Sequence, residues 1–177
     1  HISDNMLKSM RRGITKRRTI ELVEQIRAKV PNIALRTTMI AGYPGETEQD
    51  VAELIEFVEQ SKFDRLGVFT YSHEENTHAH TLNDTLTAEE KQSRADRVME
   101  VQQDISLALN QAKIGQTLKV MIDRIEKDHF IGRTEFDSPE VDNEVLIPAE
   151  QYARLGDFVN VKINKAEEFD LYGDIIA

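Results

Sequence analysis

The sequence predicts an α/β segment followed by a small antiparallel β-barrel, and three observations carry that prediction. The first is the stretch from Ile33 to Thr47, IALRTTMIAGYPGET, an apolar run that ends in a glycine- and proline-bearing turn and passes straight into a helix start. Ile33, Ala34, Leu35, Met39, Ile40 and Ala41, interrupted by Arg36, Thr37 and Thr38, give the pattern of a parallel strand covered on both faces. The second is the order of elements around it, strand and helix alternating through the first 112 residues, which specifies right-handed βαβ crossovers. The third is a change of period beyond Gly115, where apolar residues stop recurring every 3.6 positions and alternate instead.

Composition bounds the reading. The 177 residues are 40% hydrophobic, enough for a core in one or two domains. Apolar runs of membrane-spanning length and a signal-peptide pattern are both absent, so a cytoplasmic protein without a membrane partner is expected. With zero cysteines, disulfides, thiolate zinc sites and cysteine-ligated iron–sulfur clusters are excluded within this chain. The net charge of −10 argues against a surface-wide nucleic-acid footprint and suits a basic protein partner.

Taken in order, Ser3 and Asp4 can cap a short helix with Met6, Leu7 and Met10 as its apolar positions. A chain opening on a helix cap is expected to have lost the strand before it. Lys8, Arg11, Arg12, Lys16, Arg17 and Arg18 then concentrate positive charge in MRRGITKRR, either as a solvated basic face or as an anion or substrate contact. A helix from about Thr19 to Lys29 carries Ile20, Val23, Ile26 and Val30 on one stripe, and Pro31 stops it.

The Ile33 strand follows. Gly42 and Gly45 supply backbone freedom, and Thr47 with Asp50 forms an N-cap with its N3 acid. Such a strand end meeting a helix N-terminus is where α/β proteins hold ligands, although GYPGET reads equally well as only a good turn. Val51, Leu54, Ile55 and Val58 place a helix over about Thr47 to Gln60, and FDRLGVFTYS supplies a second parallel strand from about Arg65 to Tyr71.

In the polar loop that follows, His78 and His80 stand two apart, a metal spacing on a strand but not on a helix, so a divalent site there is conceivable beside the plainer reading of solvated histidines. Thr87 and Glu90 form a capping box for a long helix to about Ala112, with Ala95, Val98, Met99, Ile105 and Leu109 as its apolar stripe. Five alternating segments follow: TLKVMIDRIE, HFIGRTE, EVLIP, DFVNVKINKAEE and DLYGDIIA. They predict a barrel that closes its own edges. From Gln111 onward, 8 lysines and arginines face 14 aspartates and glutamates, a net of −6, which suits a basic protein surface better than phosphates. The loop EFDSPEVDNEV, with Glu135, Asp137, Glu140, Asp142 and Glu144, lacks the calcium-loop spacing and its glycine, so its acids are expected to be solvated or to meet a basic partner.

Five blocks carry a family resemblance: HISDNMLKSMRRG, ALRTTMIAGYPGETEQD, FDRLGVFTYSHEENTHA, IGRTEFDSPEVDNEV and GDFVNVKINKAEEFDLYGDI. Together they resemble the carboxyl-terminal part of the radical-SAM methylthiotransferases of the RimO type, over essentially the whole chain. GRTEFDSPEVDNEV and FDLYG favour that type over its tRNA-modifying relatives. The resemblance implies a partial, open TIM-like barrel over residues 1–112 and a TRAM domain, the small barrel, over 113–177. It implies an enzyme that methylthiolates the β-carbon of an aspartate in a basic small-subunit ribosomal protein, using S-adenosylmethionine and two 4Fe–4S clusters whose cysteine ligands this chain lacks. The chain alone is then expected to be inactive, to meet its protein substrate through the acidic barrel, and not to take free tRNA.

Residue by residue, Thr38, Ile40 and Gly42 match the family strand that packs on the adenine of S-adenosylmethionine, and Phe69, Thr70 and Tyr71 match the next strand end. Ser3 and Arg36 are implied at the barrel mouth, Arg36 either pairing a cofactor carboxylate or forming an internal salt bridge. No catalytic residue and no metal ligand is carried over. The sequence departs from the family at His78, Tyr43 and Asn143, where proline, phenylalanine and glycine are usual. Two other readings stay open, a fragment of a tRNA methylthiotransferase and a non-catalytic protein-binding module.

Overall fold

The computed structural model describes residues 1–139 and 141–176, and its contacts divide the chain into two compact units, His1–Gln102 and Gln103–Ala177. In the first unit, α1 (Asp4–Ser9) is capped by Ser3, whose Oγ accepts the Met6 amide, and it buries Met6 and Leu7. Helix α2 (Lys16–Lys29) starts three residues earlier than its apolar stripe suggests, because Thr15 accepts the Arg18 amide and caps it there. Strand β1 (Arg36–Ala41), helix α3 (Glu48–Ser61) and strand β2 (Arg65–Thr70) form the βαβ unit, the two strands parallel with Thr38 opposite Gly67 and Ile40 opposite Phe69. Helix α4 (Ala88–Gln111) follows a 3-10 turn at Ala79–Thr81, and the division between the units falls inside it.

Two expectations for β1 are corrected. It begins at Arg36 rather than Ile33, because the Leu35 amide donates to the Asp64 carboxylate at 2.8 Å and the Leu35 carbonyl accepts from Asp64 and Arg65. It is also covered on one face only. Met39 and Ala41 are buried, whereas Arg36 and Thr38 on the alternate face are exposed and Ile40 is half-buried.

The turn after β1 is held by a buried carboxylate. The Gly42 amide donates to both Glu46 oxygens at 3.0 Å, and the Arg94 guanidinium donates to the Glu46 carboxylate at 3.1 Å and to its carbonyl at 2.9 Å. Thr47 and Asp50 complete the anticipated capping box. Asp50 also accepts the Ser3 hydroxyl at 2.5 Å, tying α1 to α3. Burial pushes the Asp50 carboxyl up, but the bonds from Ser3 and Thr47 outweigh it and hold the group below the usual aspartate range.

The capping box at Thr87 and Glu90 is present, and Ala95 and Val98 are buried as the stripe requires. The same helix, however, also buries Lys91, Arg94, Gln102, Ser106 and Asn110. Each is partnered: Lys91 pairs with Asp84 at 2.5 Å, Gln102 donates to the Phe63 carbonyl, and Asn110 donates to the carbonyls of Glu167 and Glu168.

In the second unit, β3 (Thr117–Glu126), β4 (His129–Thr134), β5 (Glu144–Pro148), β6 (Phe158–Ala166) and β7 (Asp170–Ile176) close into a barrel in the order β3-β4-β5-β7-β6. The barrel is not antiparallel throughout, since β5 and β7 pair in parallel. A closed ring of five strands cannot alternate direction all the way round, so one parallel pair is unavoidable. Val120, Ile122, Phe130, Val145, Ile147, Val161, Ile163 and Leu171 fill the interior.

Two positions let the barrel bend. Gly132 sits opposite Ile122 and Gly173 opposite Ile163, each beside a register shift in the partner strand. A Cβ at either glycine would stand 2.5 Å from a neighbouring carbonyl oxygen.

The acidic loop is more ordered than expected. Asp137 is buried and accepts the Thr134 hydroxyl at 2.5 Å, Asp142 accepts the Ser138 amide at 2.8 Å, and Glu144 pairs with Arg124 at 2.8 Å. Three of its acids thus bond within the loop and barrel, while Glu140 lies outside the described residues.

Candidate functional site

The open face of the two-stranded sheet carries a cavity of about 630 Å³. Thr38, Ile40, Phe69, Thr70 and Tyr71, five of the residues singled out from sequence, line it together with Tyr43. Register explains the meeting: Ile40 and Phe69 are directly paired and share a face, and the Tyr71 amide continues the ladder by donating to the Ala41 carbonyl at 2.8 Å. Phe69 is 66% exposed, a large apolar side chain without cover on the open face.

The aromatic wall is built by mutual support. Tyr43 and Tyr71 meet edge to face with ring centroids 5.3 Å apart, and the Tyr43 hydroxyl donates to the Ser9 carbonyl at 3.3 Å. The Tyr71 hydroxyl lies 3.2 Å from His73 Nδ1, and the Lys91 ammonium stands 5.1 Å from the Tyr71 ring. Burial pushes the Tyr71 phenol above its ordinary value, and the negative charge of Asp84 adds to it. A neutral, fixed aromatic surface results, suited to a planar ring.

The other three residues stand elsewhere. Gly42 is next to the cavity in sequence but does not line it. Its φ is +77°, and a Cβ there would fall 2.3 Å from Lys91 Cγ, so glycine is required by the passing lysine chain. Ser3 is buried in the α1–α3 junction. Arg36 shares the face of Thr38 and Ile40 but lies at the amino-terminal end of β1, opposite Arg65, outside the cavity wall.

The histidine pair is also not assembled as the spacing suggests. His78 and His80 lie at and inside a 3-10 turn rather than on a strand, and it is His73 that meets His80, with ring centroids 4.2 Å apart. Among the described residues no three His, Cys, Asp or Glu side chains converge as a metal site would need. Sequence reading did not single out Glu74, and it named Tyr43 and the Arg11–Arg12 pair without placing them at this cavity, which all four line. The arginines had a signal in their cationic run, but nothing in the sequence pointed that run toward the sheet.

A family model described as TRAM domain matches residues 114–176. Over 99% of its length the chain is 59% identical to a protein of Cytophaga hutchinsonii named ribosomal protein uS12 methylthiotransferase RimO, of which it covers 40%. Proteins of the same name from Flavobacterium johnsoniae and Chloroherpeton thalassium are 58% and 56% identical over 98% and 99% of the chain. Over nearly its whole length the chain is thus similar to RimO proteins. It spans about 40% of the length of these RimO relatives. The TRAM match coincides with the barrel from just before β3 to the end of β7. No described helix is long and apolar enough to cross a membrane.

Proposed function

We propose that the chain is the carboxyl-terminal part of a radical S-adenosylmethionine methylthiotransferase acting on a ribosomal protein in the cytoplasm. Residues 1–112 are then the later strands of an open TIM-like barrel and 113–177 its TRAM domain. The observation that carries the reading is the convergence of Thr38, Ile40, Phe69, Thr70 and Tyr71 on one cavity at the open sheet face. These are the positions that match the adenine-contacting strands of the family. An open face on a parallel pair is also what an unfinished barrel interior presents.

The residues present fit the nucleoside end of S-adenosylmethionine, because a fixed aromatic and aliphatic wall with a few polar groups matches a planar heterocycle. They do not fit an iron–sulfur cluster, since the chain contains no cysteine, and no step is assigned to this chain through one. When bound, the family's cofactors supply the radical and the sulfur. The work of this chain is to seat the adenine against Ile40 and Phe69, to keep Tyr71 neutral beside it, and to present the substrate protein. The chain alone is inactive, and Gly42 and Glu46 act by fixing the turn that positions Ile40 and Tyr43.

The barrel takes the substrate protein rather than tRNA, as its net charge of −6 favours a basic polypeptide. Two measurements test the reading. Calorimetry of this chain with S-adenosylmethionine should show weak binding or none, because the remainder of the cofactor's site is missing, and tight binding would contradict it. In a titration followed by amide resonances, a basic ribosomal-protein peptide should shift barrel residues at physiological salt; tRNA shifting the same residues equally would count against it.

A further inference from the structure

The basic run after α1 builds a second cleft, which borders the aromatic cavity and shares Arg11 and Arg12 with it. This cleft of about 680 Å³ is lined by Lys8, Arg11, Arg12 and Arg18, with Asp4 as its one acid. Asp4 is already engaged, accepting the Lys16 amide at 2.7 Å, and Arg18 pairs with Glu21 at 3.3 Å. Lys8, Arg11 and Arg12 are exposed and make no ion pair with a described residue, in a chain that carries ten more negative than positive groups. Around them the amides of Gly13, Ile14 and Thr15 find no acceptor among the described residues.

Two local rules are broken at this cleft. The first turn of α2 holds Lys16, Arg17 and Arg18 and no acid, which sets positive charge against the positive end of the helix dipole. Arg11 occupies the position after the α1 cap where glycine is the usual residue: its φ is +55°, its amide donates to the Lys8 carbonyl, and the Arg12 amide donates to the Leu7 carbonyl. An exposed arginine held in the left-handed region, where glycine would be more stable, indicates that its charge is wanted there.

We propose that this cleft binds the phosphate backbone of a single-stranded RNA segment. Guanidinium groups together with open backbone amides are the chemistry that recognises phosphate. The cations of the cleft come from successive elements, from Lys8 on α1 to Arg18 on α2, as a ligand with several phosphates would need. Repulsion from the rest of the acidic surface confines a polyanion to this place. Because Arg11 and Arg12 also border the aromatic cavity, RNA binding is read separately from nucleoside binding, and Lys8 and Arg18 belong to this cleft alone.

The test is fluorescence anisotropy of the whole chain with a labelled 12-nucleotide oligouridylate between 50 and 200 mM salt. With three free cations engaged, the log–log salt slope should be about −2, at roughly 0.7 per phosphate contacted on a single strand. Arg11→Gln with Arg12→Gln should weaken binding at least tenfold and reduce the slope by about 1.4. Arg11→Gly is the sharper variant, because it should raise the melting temperature while lowering RNA affinity, which a merely structural arginine would not do. Binding of inorganic phosphate without RNA would overturn the RNA assignment. RNA affinity unchanged by these variants and lost in Lys119→Gln with Arg133→Gln would overturn the site.

Discussion

The two units of this chain solve the burial problem in opposite ways. The barrel of the second unit closes on itself around eight apolar side chains and keeps its ion pairs, such as Arg124 with Glu126 and Glu144, at the surface. The first unit leaves one sheet face open and joins its elements through buried polar groups, with Glu46, Asp50, Arg94 and Ser3 all under 10% exposed. A closed ring satisfies its own backbone and needs only packing. An open sheet has to fix its edges and turns by directed bonds, and the surface it leaves free becomes available for a ligand.

If that contrast is right, the largest single effect should come from the buried carboxylate of the first unit. Glu46→Gln would leave Arg94 without its enclosed counter-charge and cost about 3 kcal/mol or more. Tyr43 and Tyr71 lie in this unit while Tyr152 and Tyr172 lie in the barrel, so the amide resonances of the first pair, rather than bulk tyrosine fluorescence, report this unit in a denaturant titration. In the barrel the corresponding weak point is steric: Gly132→Ala should cost about 1–3 kcal/mol, because the added methyl meets the Met121 carbonyl, and circular dichroism of β-structure would follow its loss.

Acid should separate the units more gently. Hydrogen bonding from Arg97 holds Glu48 below its ordinary value, and Asp50 is likewise lowered by its bonds from Ser3 and Thr47 once the opposing effect of burial is overcome. Lowered acids stabilise the fold above their unfolded values, 4.5 and 3.8, and that contribution disappears as the pH falls through the folded values. Asp170 has the opposite sign. Burial and then the charges of Glu144 and Glu167 raise it, so its ionised form weighs against the barrel at neutral pH and protonation removes that burden. Below about pH 4 the Tyr43 and Tyr71 amide signals of the first unit should therefore fail before the barrel does.

The smallest effect isolates that last group. Glu144 and Asp170 are directly opposed on the parallel β5–β7 pair, two like charges in register. Asp170→Asn should stabilise the barrel by about 0.2–1 kcal/mol at pH 7, and a lowered thermal midpoint would contradict the assignment.

Much of this was legible before the structure. Alternation in TLKVMIDRIE and EVLIP located the barrel strands to within a residue, because one face of each meets a dry interior. The Thr47 and Thr87 boxes located two helix starts, since caps are local chemistry. What escaped was set by distant partners. The one-sided burial of β1 depends on what lies across the sheet, and an apolar run cannot show it. Lys91, Arg94 and Gln102 read as surface residues of a helix until Asp84, Glu46 and the Phe63 carbonyl are seen to meet them. For the cavity, the strand residues Thr38, Ile40, Phe69 and Thr70 were legible from their family match, whereas Arg11 and Arg12 arrive from a loop whose path no periodicity encodes.

The most direct test of the central claim, that the open face of the first unit is a nucleoside pocket, is an amide-resonance titration of the whole chain with S-adenosylhomocysteine at millimolar concentration. The account predicts shifts concentrated at Ile40, Phe69, Thr70 and Tyr71, with the barrel unchanged and the response reduced in Ile40→Ala. Shifts confined to the barrel, or no response at those four amides, would contradict it.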